Sequence, residues 1–280
     1  MADPDLAPMS VTQILDRTFS LYRQHWPRFL AIVAVVQVPI SLIGLVAGIV
    51  MGVSIGDTGA QMGRQIEGAV IAALVIVAFV GFIVAILGHS LCNAALIRSV
   101  SESYLGGDVT VGQAYRTVLP RLVSIIVAAF LVGAVTMVGL LLCVVPGVFL
   151  MLWLCLTITA IIVEDVGPLQ GMSRSKQLVS GNLGKVFVLG LLVMLISWAV
   201  GIAAQFLGAP ASPALIGAVP SIVIRQLLSL AATVVTAPIS ATATVLLYYD
   251  LRIRKEAFDL EMLAKSMGRA GPEAASGSAL

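Results

Sequence analysis

Two polar side chains stand four residues apart inside an apolar run, His89 and Asn93 in "ILGHSLCNAAL". In a helix that spacing puts both on one face. Polar groups within such a run face other helices or a cavity, so the pair reads either as a polar site inside a helix bundle or as an interhelical hydrogen-bond pair. Gln37 and Gln205 stand in uncharged runs of their own and carry the same two readings. His25, in "RQHWPRF" beside Trp26, reads as a solvated residue at a membrane surface. Cys92, Cys143 and Cys155 lie in apolar runs with no CxxC and no paired histidine, so they read as small packing residues. Glu164 and Asp165 are adjacent, just before a helix start where negative charge is favourable, and are expected to be solvated. Arg225 lies five residues beyond Pro220, near the end of an apolar run. An arginine costs ~2.5–3.5 kcal/mol at a bilayer centre and less near its edge, where the side chain can reach the headgroups.

These groups do not assemble into a reaction centre. The sequence has no P-loop, no G-x-S-x-G, no Gly-rich dinucleotide loop and no cluster of residues at metal-ligand spacing. No carboxylate falls at mid-span, which argues against a proton-coupled pump. No basic and aromatic surface points to nucleic acid. We therefore expect no catalytic residue, no metal and no cofactor.

The elements that position these residues follow from composition. The chain of 280 residues is 59% hydrophobic and 11% charged, with mean hydropathy +1.06. Soluble domains are about half apolar and about a quarter charged, so this is read as an all-α polytopic membrane protein. A bilayer core of ~30 Å takes about 20 helical residues. Uncharged runs place six spans at about 29–54, 68–97, 122–143, 147–163, 186–207 and 221–249. The long run 122–163 must cross twice, and "VVPG" at 144–147 is expected to supply its turn.

Fourteen of the sixteen lysines and arginines fall on one side of these spans, with only Arg64 and Arg225 on the other. The positive-inside rule then places both termini in the cytoplasm. Span six leaves the bilayer through "LLYYDLRIRKEAFDLEML" at 246–263. Tyr248 and Tyr249 are expected in the interfacial aromatic belt, followed by a cytoplasmic exit helix over 250–266. Asp250–Arg254 and Glu261–Lys265 are spaced i,i+4 with the acid first, the favoured order. Leu251, Phe258 and Met262 form a stripe that would dock this helix on the connection before span five, with Arg174 and Lys176 as partners for Asp250 or Asp259. Residues 1–9 and 267–280 read as disordered tails.

A short unit recurs. "SVTQILDRTFSLY" (10–22) aligns without gaps on "TVGQAYRTVLPRL" (110–122), and "GPLQGMSRSKQLV" (167–179) is a looser third copy. The first two open with [ST]-x-x-Q, a capping-box signature, and the third has Pro168 at the first helical position. Each precedes span one, three or five, so the fold reads as three units, each a short cytoplasmic amphipathic helix followed by two spans. These helices either lie at the membrane interface or pack on neighbouring helix ends.

"GPLQGMSRSKQLVSGNLGKVF" (167–187), the exit "LLYYDLRIRKEAFDLE" (246–261) and the opening "ILDRTFSLYRQHW" (14–26) resemble the glycerophosphoryl diester phosphodiesterase membrane domain family. The matching positions are Gly167, Arg174, Ser175, Leu178, Gly181 and Asn182, then Tyr248, Asp250, Arg252, Arg254, Glu256, Phe258 and Asp259. The resemblance implies a stand-alone six-helix module of a bacterial plasma membrane. The family's catalytic barrel, with its His-Arg-Gly motif, has no counterpart here, so the enzyme activity does not transfer. The expected function is a non-catalytic module that binds lipid, a partner membrane protein or a second copy of itself. The alternative is a small transporter or lipid-handling protein, kept open by Gln37, His89, Asn93 and Gln205 and by Pro39 and Pro238 within the spans.

Overall fold

A computed structural model describes residues 9–58, 68–210 and 216–269, with side chains over 9–49, 75–77, 79–210 and 216–256. The described residues form helices and no strand. In chain order these are α1 (Val11–Thr58), α2 (Gly68–Tyr104), α3 (Val111–Val118), α4 (Leu122–Leu142), α5 (Val144–Leu154), α6 (Thr157–Glu164), α7 (Pro168–Val179), α8 (Leu183–Gly208) and α9 (Ala218–Arg269). Six stretches are long and apolar enough to cross a membrane, with α5 and α6 acting together as the fourth. Large apolar side chains such as Phe79, Phe82, Phe130, Leu142 and Phe206 are exposed around them. Lipid rather than water suits such a surface, and the helices meet their own backbone hydrogen bonds. The chain is built as a multi-pass membrane protein.

The threefold unit is visible in the packing. Four residues after each cap come Ile14, Ala114 and Gly171; eight after come Thr18, Val118 and Ser175, and all six are buried. Positions four apart share a helix face, so each short helix turns the equivalent face into the bundle. The Gln at the third helical position closes back on the cap in every copy: Ser10 N–H to Gln13 Oε1 at 2.7 Å, Thr110 N–H to Gln113 Oε1 at 2.9 Å, and Gly167 N–H to Gln170 Oε1 at 3.4 Å. Gly167 has no side chain to return the bond, so the third copy keeps only half of the capping box. In the first copy the short helix and the span join at His25, where the backbone leaves helical geometry two residues before Pro27. Proline lacks the N–H and crowds the carbonyl four residues back, which kinks the helix there.

Each unit is also closed by an ion pair between the start of its first span and the exit of its second. Arg28 meets Asp108 at 2.8 Å, Arg121 meets Asp165, and Lys185 meets Asp250. These pairs define the basal end of the bundle. The buried residues of α2 run from Ser90 to Tyr104 and most of those of α9 from Pro238 to Leu251, so the core sits in the basal half. Toward the other, distal end the helix flanks are largely exposed, and α9 packs there on α1 and α8. Glycines allow that approach. A Cβ on Gly44 would stand 3.5 Å from Gln226 Nε2, and one on Gly48 3.3 Å from Ile222. This is the small-xxx-small contact of membrane helices.

The structure corrects four sequence-based expectations. The turn between spans three and four is the single extended residue Cys143, and "VVPG" already belongs to α5. Pro146 costs that helix nothing, because the first amides of a helix have no intrahelical partner. Span four is interrupted at Cys155 and Leu156. Tyr248 and Tyr249 are buried in the core instead of forming a belt. Met9, expected in the N-terminal tail, is buried and hydrogen-bonded. The exit helix is continuous with span six as far as Arg269; the side chains of Phe258, Asp259 and Met262, and residues 1–8 and 270–280, lie outside the described residues.

The one-residue turn makes α4 and α5 run in contact. A Cβ on Gly147 would fall 2.7 Å from Leu140 Cα, and one on Gly139 3.1 Å from Gly147 Cα. Backbone cannot yield as a side-chain tip can. Gly147→Leu should therefore cost about 1–3 kcal/mol of stability in detergent, read as a lowered thermal midpoint. Gly190→Ala, where nothing lies within 4 Å, should leave that midpoint unchanged.

Candidate functional site

Two groups of polar side chains stand out, a charged network at the basal end and a groove within the spans. The network is centred on Asp250, which has no solvent exposure. Its Oδ1 accepts the Met9 amide at 2.6 Å, and its Oδ2 accepts Lys185 Nζ and, at 3.0 Å, Arg254 Nε. Lys185 and Arg254 both also donate to the Met9 carbonyl, at 2.5 and 2.8 Å. One carboxylate thus joins the segment before α1, the start of α8 and the exit of α9. A buried charge is tolerated only when paired and hydrogen-bonded, and here both carboxylate oxygens are occupied.

A second network lies beside it. Arg174 of α7 donates through Nε to both oxygens of Glu164, at 2.8 and 2.9 Å, and through its Nη2 to Glu256. Tyr248 donates its hydroxyl to Glu164, and Arg252 donates to Glu256 at 2.7 Å. Burial works against the Arg174 cation, but its hydrogen bonds to Glu164 and Glu256 and their charges outweigh it and push its pKa up. Lys255 reaches the Gln177 carbonyl. The exit of α9 therefore docks on α7, with Leu251 fully buried. Arg174, expected to pair with Asp250 or Asp259, pairs with Glu164 and Glu256. Asp250 instead takes Lys185 and Arg254, since its place on α9 faces the start of α8. Lys176 sits 5.0 Å from the centre of the Trp153 ring, a cation–π contact. Glu164, expected to be solvated, is enclosed by Arg174 and Tyr248. Asp108, by contrast, is exposed, and the hydrogen bond and charge of Arg28 hold its carboxyl below the usual range.

Ser175, from the same helix, repairs the break in span four. Its hydroxyl accepts the Leu156 amide at 3.1 Å and donates to the Trp153 carbonyl at 2.7 Å. Backbone groups freed inside a membrane helix must find such partners. The Tyr249 hydroxyl meets Ser101 Oγ at 2.7 Å, and its ring packs on Tyr104 at 5.2 Å.

Within the spans, Gln37 of α1 and His89 and Asn93 of α2 line one pocket of about 210 Å³ with Ser197, Thr236 and Ser240. Gln205 lines a larger cleft of about 780 Å³ between α8 and α9, with Arg225, Gln226 and Ser229. Ser197, Thr233 and Thr236 border both, so the two adjoin. His89 and Gln205 are exposed, and Gln37 and Asn93 partly so. The hydroxyls of Ser197, Thr233 and Thr236 donate to carbonyls of their own helices, 2.9–3.0 Å away. The result is a groove with mixed polar and apolar walls, open at its side, running from the distal end to the level of His89. It can hold polar groups, and Cys92 lines its wall beside His89. Among the described residues no three His, Cys, Asp or Glu side chains gather as a metal site.

The buried and the exposed staples make a direct comparison. Asp250→Ala leaves Lys185 and Arg254 facing each other without their anion, and should cost on the order of 3–5 kcal/mol. Asp108→Ala, at an exposed pair, should leave the thermal midpoint in detergent almost unchanged. Equal shifts for the two would mean that burial does not set the strength of the Asp250 network.

No curated protein and no solved structure matches this chain. One family does match, over residues 95–251, and it is described as "Domain of unknown function (DUF7847)". The matched stretch begins in the basal half of α2 and ends just past Asp250, so it takes in Glu164, Arg174, Lys185 and Tyr248. Because it spans more than half of the sequence, the chain belongs to the DUF7847 family.

Proposed function

We propose that this protein is a non-catalytic module of a bacterial cell membrane that binds lipid, with both termini in the cytoplasm. The observation that carries the reading is the side-opening groove, where Gln37, His89 and Asn93 from two helices converge on hydroxyls of α8 and α9. Mixed polar and apolar walls with an open side suit an amphiphile, whose polar part can enter while its chains stay in lipid. The orientation rests on the basic residues: fourteen of sixteen belong to segments at the basal end, which the positive-inside rule assigns to the cytoplasm. In that frame the exposed apolar side chains of the basal segments, Phe19, Trp26, Leu119 and Leu169, would rest in the headgroup layer. The docked exit of α9 offers a face for a partner membrane protein or a second copy. The resemblance to the glycerophosphoryl diester phosphodiesterase membrane domain fits such an accessory role.

A second reading, as a small transporter, draws on the same groove. Against it, the groove stops short of the basal end, where the Asp250 network fills the space between α8, α9 and the segment before α1.

Two measurements test the proposal. Single cysteines in a cysteine-free background should react with a membrane-impermeant reagent from outside at position 60, and at 107 only after permeabilisation; outside labelling at 107 overturns the orientation. Native mass spectrometry of the protein extracted in mild detergent should find bound lipid. Ser197→Leu, which fills the waist shared by both parts of the groove, should reduce that lipid without lowering the thermal midpoint. A wild-type protein that carries no lipid overturns the lipid-binding reading.

A further inference from the structure

We infer that the cleft between α8 and α9 is a binding site for the headgroup of an anionic phospholipid, with Arg225 as its cation. The inference rests on the lipid-binding reading above and names the lipid. Arg225 lines the cleft and is exposed. Among the described residues it has no carboxylate partner, and of the basic residues it alone lines the cleft.

This side chain lies where α8 and α9 meet. A Cβ on Gly208 would stand 3.2 Å from Leu228 and 3.7 Å from Arg225 Cγ. The arginine stem thus lies within van der Waals reach of the end of α8. Gln205, Gln226 and Ser229 line the cleft on either side, and Gln226 is held in place by donating to the Ser41 carbonyl at 3.3 Å. The volume of about 780 Å³ lies within the ~300–1,000 Å³ range of small-molecule sites.

Depth and charge select the occupant. Arg225 lies 25 residues along α9 from Asp250, about 37 Å at helical rise. A bilayer core is ~30 Å thick, so with Asp250 at one surface Arg225 reaches the opposite one, at the level of lipid phosphates. Guanidinium pairs with phosphate through two parallel hydrogen bonds. Among the described residues no aspartate or glutamate lines the cleft, so none of them offers a charge to the ammonium of a zwitterionic headgroup. An anionic headgroup, such as that of phosphatidylglycerol, meets the cation without leaving a charge of its own unpaired. Exposed apolar side chains next in sequence to the lining residues, Ile202, Phe206, Leu207 and Leu227, suit the acyl chains.

The test uses the full chain, delipidated in detergent and given back phosphatidylglycerol or phosphatidylcholine of matched chains, with binding read by native mass spectrometry and by thermal shift. Wild type should retain phosphatidylglycerol over phosphatidylcholine by about tenfold, a preference lost in Arg225→Gln and largely kept in Arg225→Lys. Arg116→Gln, a basal arginine outside the cleft, should leave it intact. Millimolar inorganic phosphate or glycerol 3-phosphate should not displace the lipid; displacement would make the free anion the ligand and overturn the lipid assignment. If wild type binds both lipids equally, or if Arg225→Gln keeps the preference, the Arg225 site is wrong while lipid binding stands. If neither lipid binds, the lipid-binding reading fails as well.

Discussion

Asp250 has no exposure to solvent, and a carboxylate in that position survives only with its charge matched and its lone pairs used. That requirement fixes the basal end of the molecule. Lys185 and Arg254 must be where they are, and each holds the Met9 carbonyl with a remaining donor. The first described residues are thereby tied to the last span, 241 positions away. Arg174 performs a similar task one helix over, joining α6, α7 and the exit of α9 through Glu164 and Glu256. Helix association in lipid lacks the hydrophobic drive available in water, so directional contacts of this kind carry much of the specificity.

With the basal end so fixed, the distal half is free to stay open. Small residues line the approach of α1 and α9 near Gly44 and Gly48, and the cleft beside Arg225 lies between α8 and α9. The division resembles that of many binding proteins, a rigid support and a recess set on it. The recess is lined by hydroxyls already satisfied by their own helices, so its walls stand without a ligand and present oxygen to one.

Much of this was legible in the sequence, and the parts that were not share a cause. The spans were legible because uncharged runs of the right length have few other meanings in a membrane. The short helices were legible because the Gln that closes each cap sits at a fixed offset from it, as Gln13, Gln113 and Gln170 do. That His89 and Asn93 share a face follows from their spacing alone. That Gln37 and Ser197 join them does not, because it depends on which helices become neighbours. The same holds for the pairs at the basal end: Asp250 and Lys185 are 65 residues apart, and Glu164 and Tyr248 are 84. Tyr248 and Tyr249 look like interfacial aromatics because a span ends beside them; only the helices around α9 show that they are enclosed. The turn at Cys143 was masked by a Pro–Gly pair, which usually breaks a helix but here begins one.

The three staples, Arg28–Asp108, Arg121–Asp165 and Lys185–Asp250, have a consequence for how such a chain is assembled and how it could have grown. Each unit crosses twice and returns to the side from which it set out, carrying its own cap, its own hairpin and its own lock. A ribosome-bound chain could therefore be handed into the bilayer one hairpin at a time, each fastened before the next emerges. A gene could gain or lose a whole unit without turning the remaining ones upside down. Modules built on an odd number of crossings lack that freedom, since every duplication reverses whatever follows it.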